Sequence, residues 1–309
     1  MENAAALSIA LKEADFQVSH ICCSRPSCFD FVARKNNTII LIKTHADIDT
    51  FSCQDAAELQ TIADHVSAVA IIISQKTHDK PIEDDTVYSR HGIFVVTEKT
   101  IKNVVFQTAD PLVYAGPGGY FVELDSALVE ERRKELGISM GQLADMVGVS
   151  RRTLYGYERG MAKASVASAY NLAKTLGCPV AKPINLLEKP HRKSYCILTK
   201  ATRTLARHTL LFKIFRKFAF CNISTVRRAP FDFILNIPSE KLAIVGSVAT
   251  KQEKHLSRRI EETLNVCQVI NAHPVLITEE PNALRENINC ICMDKLAAMR
   301  TPRELVAAV

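Results

Sequence analysis

Three groups of residues have types and spacings suited to chemistry. Asp30 and Asp232 each sit between two phenylalanines, in Phe29-Asp30-Phe31 and Phe231-Asp232-Phe233, and Lys43 closes the apolar run Ile40-Leu41-Ile42. A carboxylate near an ammonium group could hold a divalent cation and orient an attacking water. Arg151 and Arg152 stand side by side directly after Ser150. A guanidinium fork matches the O6 and N7 acceptors of guanine. Two cations at a helix start also oppose the helix dipole, which a purely solvated role does not explain. Residues 191–228 hold ten Lys and Arg and no Asp or Glu. Such a stripe suits phosphate; the alternative is a solvated face that meets the acidic N-terminal third.

Other candidates fail on spacing. Cys22, Cys23 and Cys28 cluster, as do Cys290 and Cys292, yet neither group is a CxxC pair with histidine at zinc-finger distance. These read as thiols, and no metal site is expected. The nine histidines are scattered and form no triad by spacing. Gly116-Pro117-Gly118-Gly119 lacks a following Lys-Ser/Thr and opens no helix, so it reads as a turn between strands Leu112–Ala115 and Tyr120–Leu124. No catalytic residue and no cofactor is expected.

The chain has 309 residues, with 47% hydrophobic and 23% charged, which suggests two or three domains. That composition excludes disorder, collagen and a disulfide scaffold. No apolar run reaches the roughly 18 residues of a transmembrane helix. The start, MENAAALSIALKEAD, lacks the basic segment of a secretory signal. The expected location is the cytoplasm, with no membrane partner. The net charge of +6 is unevenly spread. Residues 1–125 carry ten basic against seventeen acidic groups, 126–190 ten against six, and 191–309 nineteen against ten.

Those three stretches also differ in pattern. In 1–125, strand-like runs at Phe29–Ala33, Thr38–Lys43, Val69–Ser74 and Ile93–Thr97 flank a helical stretch, Gln54–Val66, with Ala57, Ile62 and Val66 on one side. Strands separated by helices predict a mixed α/β sheet. Residues 191–309 repeat the plan. Ile40–Lys43 aligns with Ala243–Gly246, Ile71–Ser74 with Val275–Thr278, and Ile93–Thr97 with Ile288–Cys292, followed by Ile101 and Leu296 respectively. This predicts a duplicated domain.

Residues 126–190 are helical throughout. The first helix, 127–136, stops at Gly137. The second opens with the capping box Ser139-x-x-Gln142 and presents Leu143, Met146 and Val147 as its apolar face. Gly148 makes a tight turn. Ser150 caps the third helix by accepting from the Thr153 N–H, Leu154 and Tyr157 face inward, and Gly160 ends it. The fourth, Val166–Leu176, lies between Ser165 and Gly177.

Leu143-Ala144, Gly148-Val149-Ser150, Leu154 and Tyr157-Glu158-Arg159-Gly160 resemble the phage-repressor-like (Xre) helix-turn-helix. Met140 departs from it, standing where family members often carry glutamine. More narrowly, 112–125, 150–160 and 165–183 resemble a family of archaeal HTH-type transcriptional regulatory proteins with this motif in mid-chain. The resemblance implies a transcription regulator whose third helix enters the major groove. Arg151 and Arg152 would then reach base edges, and Tyr155 a base or phosphate. Thr153 and Arg159 would lie at phosphates and Ser139, Gln142 and Lys163 at the backbone, with Ser150 also among the DNA-binding residues. Glu158 would pair with a nearby arginine or cap a neighbouring helix.

The flanking stretches resemble the restriction-endonuclease core, whose signature is an Asp followed by Asp/Glu-x-Lys. The acid position before Lys43 is Leu41, and Ile244 and Gly246 stand at the matching places in the repeat. Asp47 or Asp49 could substitute only if the strand ended early. One carboxylate alone does not hold Mg²⁺. The expected architecture is therefore α/β plus all-α. Two catalytically degenerate endonuclease-like domains (1–125 and 191–309) flank a central lambda-repressor-like domain of four to five helices (126–190). The expected function is sequence-specific binding of double-stranded DNA by a homodimer, with the flanking domains dimerising or adding DNA contact. An unknown small-molecule or protein effector is a further class of partner. The competing function is a metal-dependent nuclease or junction-binding enzyme.

Overall fold

The computed structural model describes residues 2–188, 222–237, 242–249, 255–278, 288–299 and 304. Most of the basic run 191–228 lies outside these residues, apart from 222–228. In chain order the elements begin with α1 (Glu2–Glu13), β1 (Gln17–Val18), β2 (Phe31–Lys35), β3 (Thr38–Asp47), α2 (Cys53–His65) and β4 (Val69–Thr77). Next come β5 (Lys80–Pro81), β6 (Thr86–Arg90), β7 (Ile93–Val96), α3 (Glu98–Val105), β8 (Val113–Gly116) and β9 (Gly119–Val122). Then follow α4 (Ser126–Glu135), α5 (Met140–Val147), α6 (Arg151–Glu158), β10 (Ala164–Ser165) and α7 (Val166–Leu176). The last are β11 (Asn222–Thr225), β12 (Phe233–Ile237), β13 (Leu242–Val248), α8 (Leu256–Ile270), β14 (His273–Thr278), β15 (Asn289–Cys292) and α9 (Met293–Ala298).

They form two compact units. One joins residues 1–44 and 50–72 to 187–309; the other joins 45–49 to 73–186.

Most of the repeat lies in the first unit; Ile93–Thr97, the expected counterpart of Ile288–Cys292, lies in the second. Strands β1, β2 and β3 are antiparallel neighbours, as are β11, β12 and β13, and β13 then runs parallel to β14 and β14 to β15. Ile40, Leu41 and Ile42 are all buried, as are Ile244 and Val245, and Val275, Leu276 and Ile277. Continuous rather than alternating burial means a sheet covered on both faces. Each copy supplies cover to the other: α8 packs on β2 and α2 on β12. Phe29 and Phe231, fully buried, meet with ring centroids 6.3 Å apart.

The hydrogen bonds correct the expected alignment of the copies by one residue. The Asp30 N–H donates to the Ile42 carbonyl and the Asp232 N–H to Gly246. The Thr44 N–H donates to Asp30 and the Val248 N–H to Asp232, both at 2.7 Å. Ser247, not Gly246, therefore stands opposite Lys43, and Val245, not Ile244, opposite Leu41. Gly246 has its own reason: a Cβ there would fall on the buried ring of Phe233, its partner across β12 and β13. On α2 the buried face is Ala56, Leu59, Ile62 and Ala63 with Val66 beyond, while Ala57 is only half-buried.

In the second unit the strand order is β7-β6-β8-β9-β10. Strands β8 and β9 form the expected hairpin around Pro117 and Gly118, and the backbone of Gly118 and Gly119 has φ of +88° and +133°. Strand β6 was not legible in the sequence, because Thr86–Arg90 shows no apolar alternation. The helices share one core of Val129, Leu143, Ala144, Val147, Leu154, Tyr157, Leu172 and Leu176, which Val122 and Leu124 join. Main-chain bonds from Asp125 to Val180 and from Lys182 to Glu123 fasten the helices to the strand end. Met146 does not belong to this core; it is 62% exposed, because α5 turns Leu143, Ala144 and Val147 inward and Met146 away from them.

Two outcomes follow. Gly246→Ala should lower stability by about 3 kcal/mol, the upper range for forced over-packing, measured by denaturant unfolding. His65 is buried at the end of α2, its Nε2 2.8 Å from Ser224 Oγ and its carbonyl accepting from Asn236. Burial holds its pKa below the usual histidine range. The unfolded chain therefore takes up a proton near pH 6.5 that the folded chain refuses, so stability is full above that pH and falls below it. A Tm–pH profile should show this slope, and His65→Gln should flatten it.

Candidate nucleic-acid interface

The centre of the helical region is a helix start built from local sequence. Ser150 accepts from the Thr153 N–H at 3.0 Å and shares a hydrogen bond with the Thr153 hydroxyl, setting the first turn of α6. Ser139 and Gln142 close a capping box at α5, with bonds of 3.2 and 2.9 Å. Gly148 takes φ +81°, as the turn between α5 and α6 requires.

Packing then fixes the direction of α6. Leu154 is fully buried and Tyr157 is 5% exposed. Behind them lies an ion pair: Arg133 of α4 donates from Nε and Nη2 to the two oxygens of Glu158, at 2.6 and 3.1 Å. A third donor, Arg133 Nη1, reaches the Ile138 carbonyl. Hydrogen bonding to Glu158 raises the Arg133 pKa. Glu158 thus meets its expected arginine, and with its side chain only 4% exposed it has no recourse to water.

The opposite side of α6 is open. Arg151, Arg152 and Tyr155 are exposed, Tyr155 at 48%. The Arg151 guanidinium lies across Gly141 of α5, so close that a Cβ there would displace it. Arg159 lies 5.6 Å from the Tyr155 ring, on the same side of the helix. Ser139, Gln142 and Ser150 are exposed and Thr153 is half-buried. Lys163 is engaged elsewhere: its ammonium sits 3.5 Å from the Tyr114 ring centroid and 3.7 Å from Glu123. The region therefore groups Arg151, Arg152, Tyr155 and Arg159 on one surface and draws Lys163 toward the β8–β9 hairpin.

Parts of the chain are similar to known proteins. A helix-turn-helix family model matches residues 129–182, and a PD-(D/E)XK superfamily domain matches 2–111. An HTH-type transcriptional regulatory protein of Methanococcus maripaludis is 31% identical over 90% of this chain and 89% of its own length. The chain belongs to that family. Other members are a Methanocaldococcus jannaschii protein, 28% identical over 91% of this chain and 87% of its own, and a Halorubrum lacusprofundi protein, 36% identical over 61% and 57%. A chain of the SinR protein/SinI protein complex aligns over 31% of this chain and 90% of its own, at 25% identity and TM-score 0.17.

Family membership raises the question of a metal, since a PD-(D/E)XK domain implies a divalent cation. The residues present do not fit one. Asp30 Oδ1 takes the Lys43 ammonium at 2.7 Å, while Oδ2 takes the N–H and hydroxyl of Thr44. The second acid position is Leu41, which is buried. Strand β3 runs on to Asp47, so the strand does not end early. Asp49 is held by the His78 N–H, the Thr77 hydroxyl and Arg90. In the other copy Asp232 is met by Arg25, Arg259 and the Val248 N–H. Among the described residues no cluster of His, Cys, Asp or Glu could hold a metal ion. No helix among them is long and apolar enough to cross a membrane.

Arg133→Ala strands the Glu158 carboxylate in the core. It should cost about 3–5 kcal/mol, with hydrogen exchange accelerated through α6. Arg133→Met combined with Glu158→Leu should recover most of that loss.

Proposed function

We propose that this regulator reads duplex DNA in a sequence-specific way through the first turns of α6 and controls transcription by doing so. The observation that carries the proposal is the opposition of two faces on one short helix. Leu154, Tyr157 and Glu158 are locked in the core, while Arg151, Arg152 and Tyr155 are presented to solvent from a capped N-terminus. A rigid helix start that exposes guanidinium forks suits recognition of guanine in the major groove. Thr153, Arg159 and the capping residues Ser139, Gln142 and Ser150 serve as phosphate and backbone contacts. Lys163 joins them only by leaving Glu123 and Tyr114.

One such helix spans few base pairs, so the working form is a homodimer on a two-fold-related site. The domain order is an endonuclease-like copy (1–125), the helix-turn-helix region (126–190) and a second endonuclease-like copy (191–309). The two copies act as a scaffold without nuclease chemistry, because among the described residues neither offers a second carboxylate beside its aspartate.

Binding of duplexes from the protein's own promoter region, followed by fluorescence anisotropy, tests the reading helix. Arg151→Ala and Arg152→Ala should each lose about 1–3 kcal/mol against the preferred site while remaining folded. Unchanged affinity and selectivity in the double variant would refute the proposal, and strict one-to-one monomer binding would refute the dimer. Plasmid incubated with Mg²⁺ or Mn²⁺ should stay intact; cleavage abolished by Asp30→Ala would make the protein a nuclease.

A further inference from the structure

The two α/β copies meet through a charge pattern that is not symmetric, although the backbone around it is. On each side two successive N–H groups of a loop cap one glutamate on the helix of the opposite copy. Cys23 and Ser24 donate to Glu262 of α8, at 3.0 and 2.8 Å. Arg227 and Arg228 donate to Glu58 of α2, at 2.9 and 2.8 Å. The same hydrogen-bond pattern equates Asp55 with Arg259 and Ser24 with Arg228. At these pairs of positions the chemistry differs between the copies.

Asp55 on α2 meets Arg228 at 2.6 Å, whereas the equivalent place on α8 is Arg259. Asp30 is neutralised within its own copy by Lys43. Asp232, facing Ser247 where that lysine would stand, draws Arg25 from the N-terminal copy at 2.8 Å and its own Arg259 at 3.2 Å. Arg25 also donates to the Ala229 carbonyl. Buried carboxylates of this kind need such partners: the Asp55 and Asp232 side chains are each 14% exposed.

We infer that this interface is heterospecific: the N-terminal copy accepts a C-terminal copy and rejects another N-terminal one. In a pairing of two C-terminal copies, Arg228 would face Arg259. In a pairing of two N-terminal copies, Asp55 would face Ser24, and Arg25 would approach an aspartate that Lys43 already neutralises. Like charges and unpaired buried carboxylates set against the wrong partner are what give an interface specificity. Of the two strand-end aspartates, Asp232 thus serves the pairing of the copies, while Asp30 stays with Lys43 of its own copy. The surface is satisfied by the chain's own second copy, which makes it unsuited to joining two chains through like copies.

The test is a charge swap in the full-length chain. Asp55→Arg should lower Tm and speed exchange of the Cys23, Ser24, Arg227 and Arg228 amides by about tenfold or more. Adding Arg228→Asp should restore most of the protection, because the pair re-forms in reverse. The loss of an acidic residue from the first turn of α2 is not repaired by that second change, so restoration reports the pair itself. If Asp55→Arg fails to fold alone but the swapped chain folds, the inference stands. Strictly additive losses overturn it, as does wild-type behaviour of Asp55→Arg. In a parallel cycle, Arg25→Ala with Asp232→Asn should cost less than the two single changes summed; simple additivity there overturns the role given to Arg25.

Discussion

A carboxylate taken out of water must be met by positive charge or by N–H donors, and much of this molecule is arranged around that demand. Glu158 and Glu262 are almost fully buried, and Asp30, Asp55 and Asp232 nearly so. An unpaired charge at any of these places would cost several kcal/mol. The solutions differ by location. Glu158 takes a bidentate arginine, Glu58 and Glu262 take paired backbone N–H groups, and the two aspartates at the strand ends take lysine or arginine with a backbone amide. The elements carrying these donors are thereby fixed against one another.

The same demand explains why a domain of nuclease type does not fit a metal here. A divalent cation needs carboxylate oxygens that other donors have not already claimed. In the first copy Lys43 and Thr44 claim both oxygens of Asp30. In the second, guanidinium groups from two elements close on Asp232. With leucine and valine at the places of the second acid, the pocket chemistry is that of an internal ion pair.

The helical region answers a different requirement, a surface that is rigid yet exposed. Short helices are marginal alone and take their stability from packing. Here α5 and α6 are eight residues each. Side-chain caps at Ser139 and Ser150 set where they begin, and the buried face with the Arg133–Glu158 pair sets how α6 is turned. Joining Val122 and Leu124 to the same core ties the helices to the strands before them, so the compact unit extends beyond the helical motif.

Local signals were legible from the residues alone. The caps at Ser139, Ser150 and Ser165, the glycines at 148 and 177, the inward Leu154 and Tyr157 and the glycine turn before β9 all depend on neighbours within a few positions, and all stand where the sequence places them. The repeat was legible as well, through Phe-Asp-Phe and the apolar runs, but not its register. An apolar run buried on both faces carries no alternation, so only the hydrogen bonds across the strands could set Ser247 against Lys43. The exposure of Met146 escaped for a similar reason, since periodicity marks a broad face and packing selects part of it. Of what joins the copies, the sequence offered only that the basic run could meet the acidic N-terminal third, not which residues pair. Arg25 meets Asp232, and Arg228 meets Asp55, across separations of more than a hundred residues, and charge pairing at that range depends on where the chain has been brought by folding.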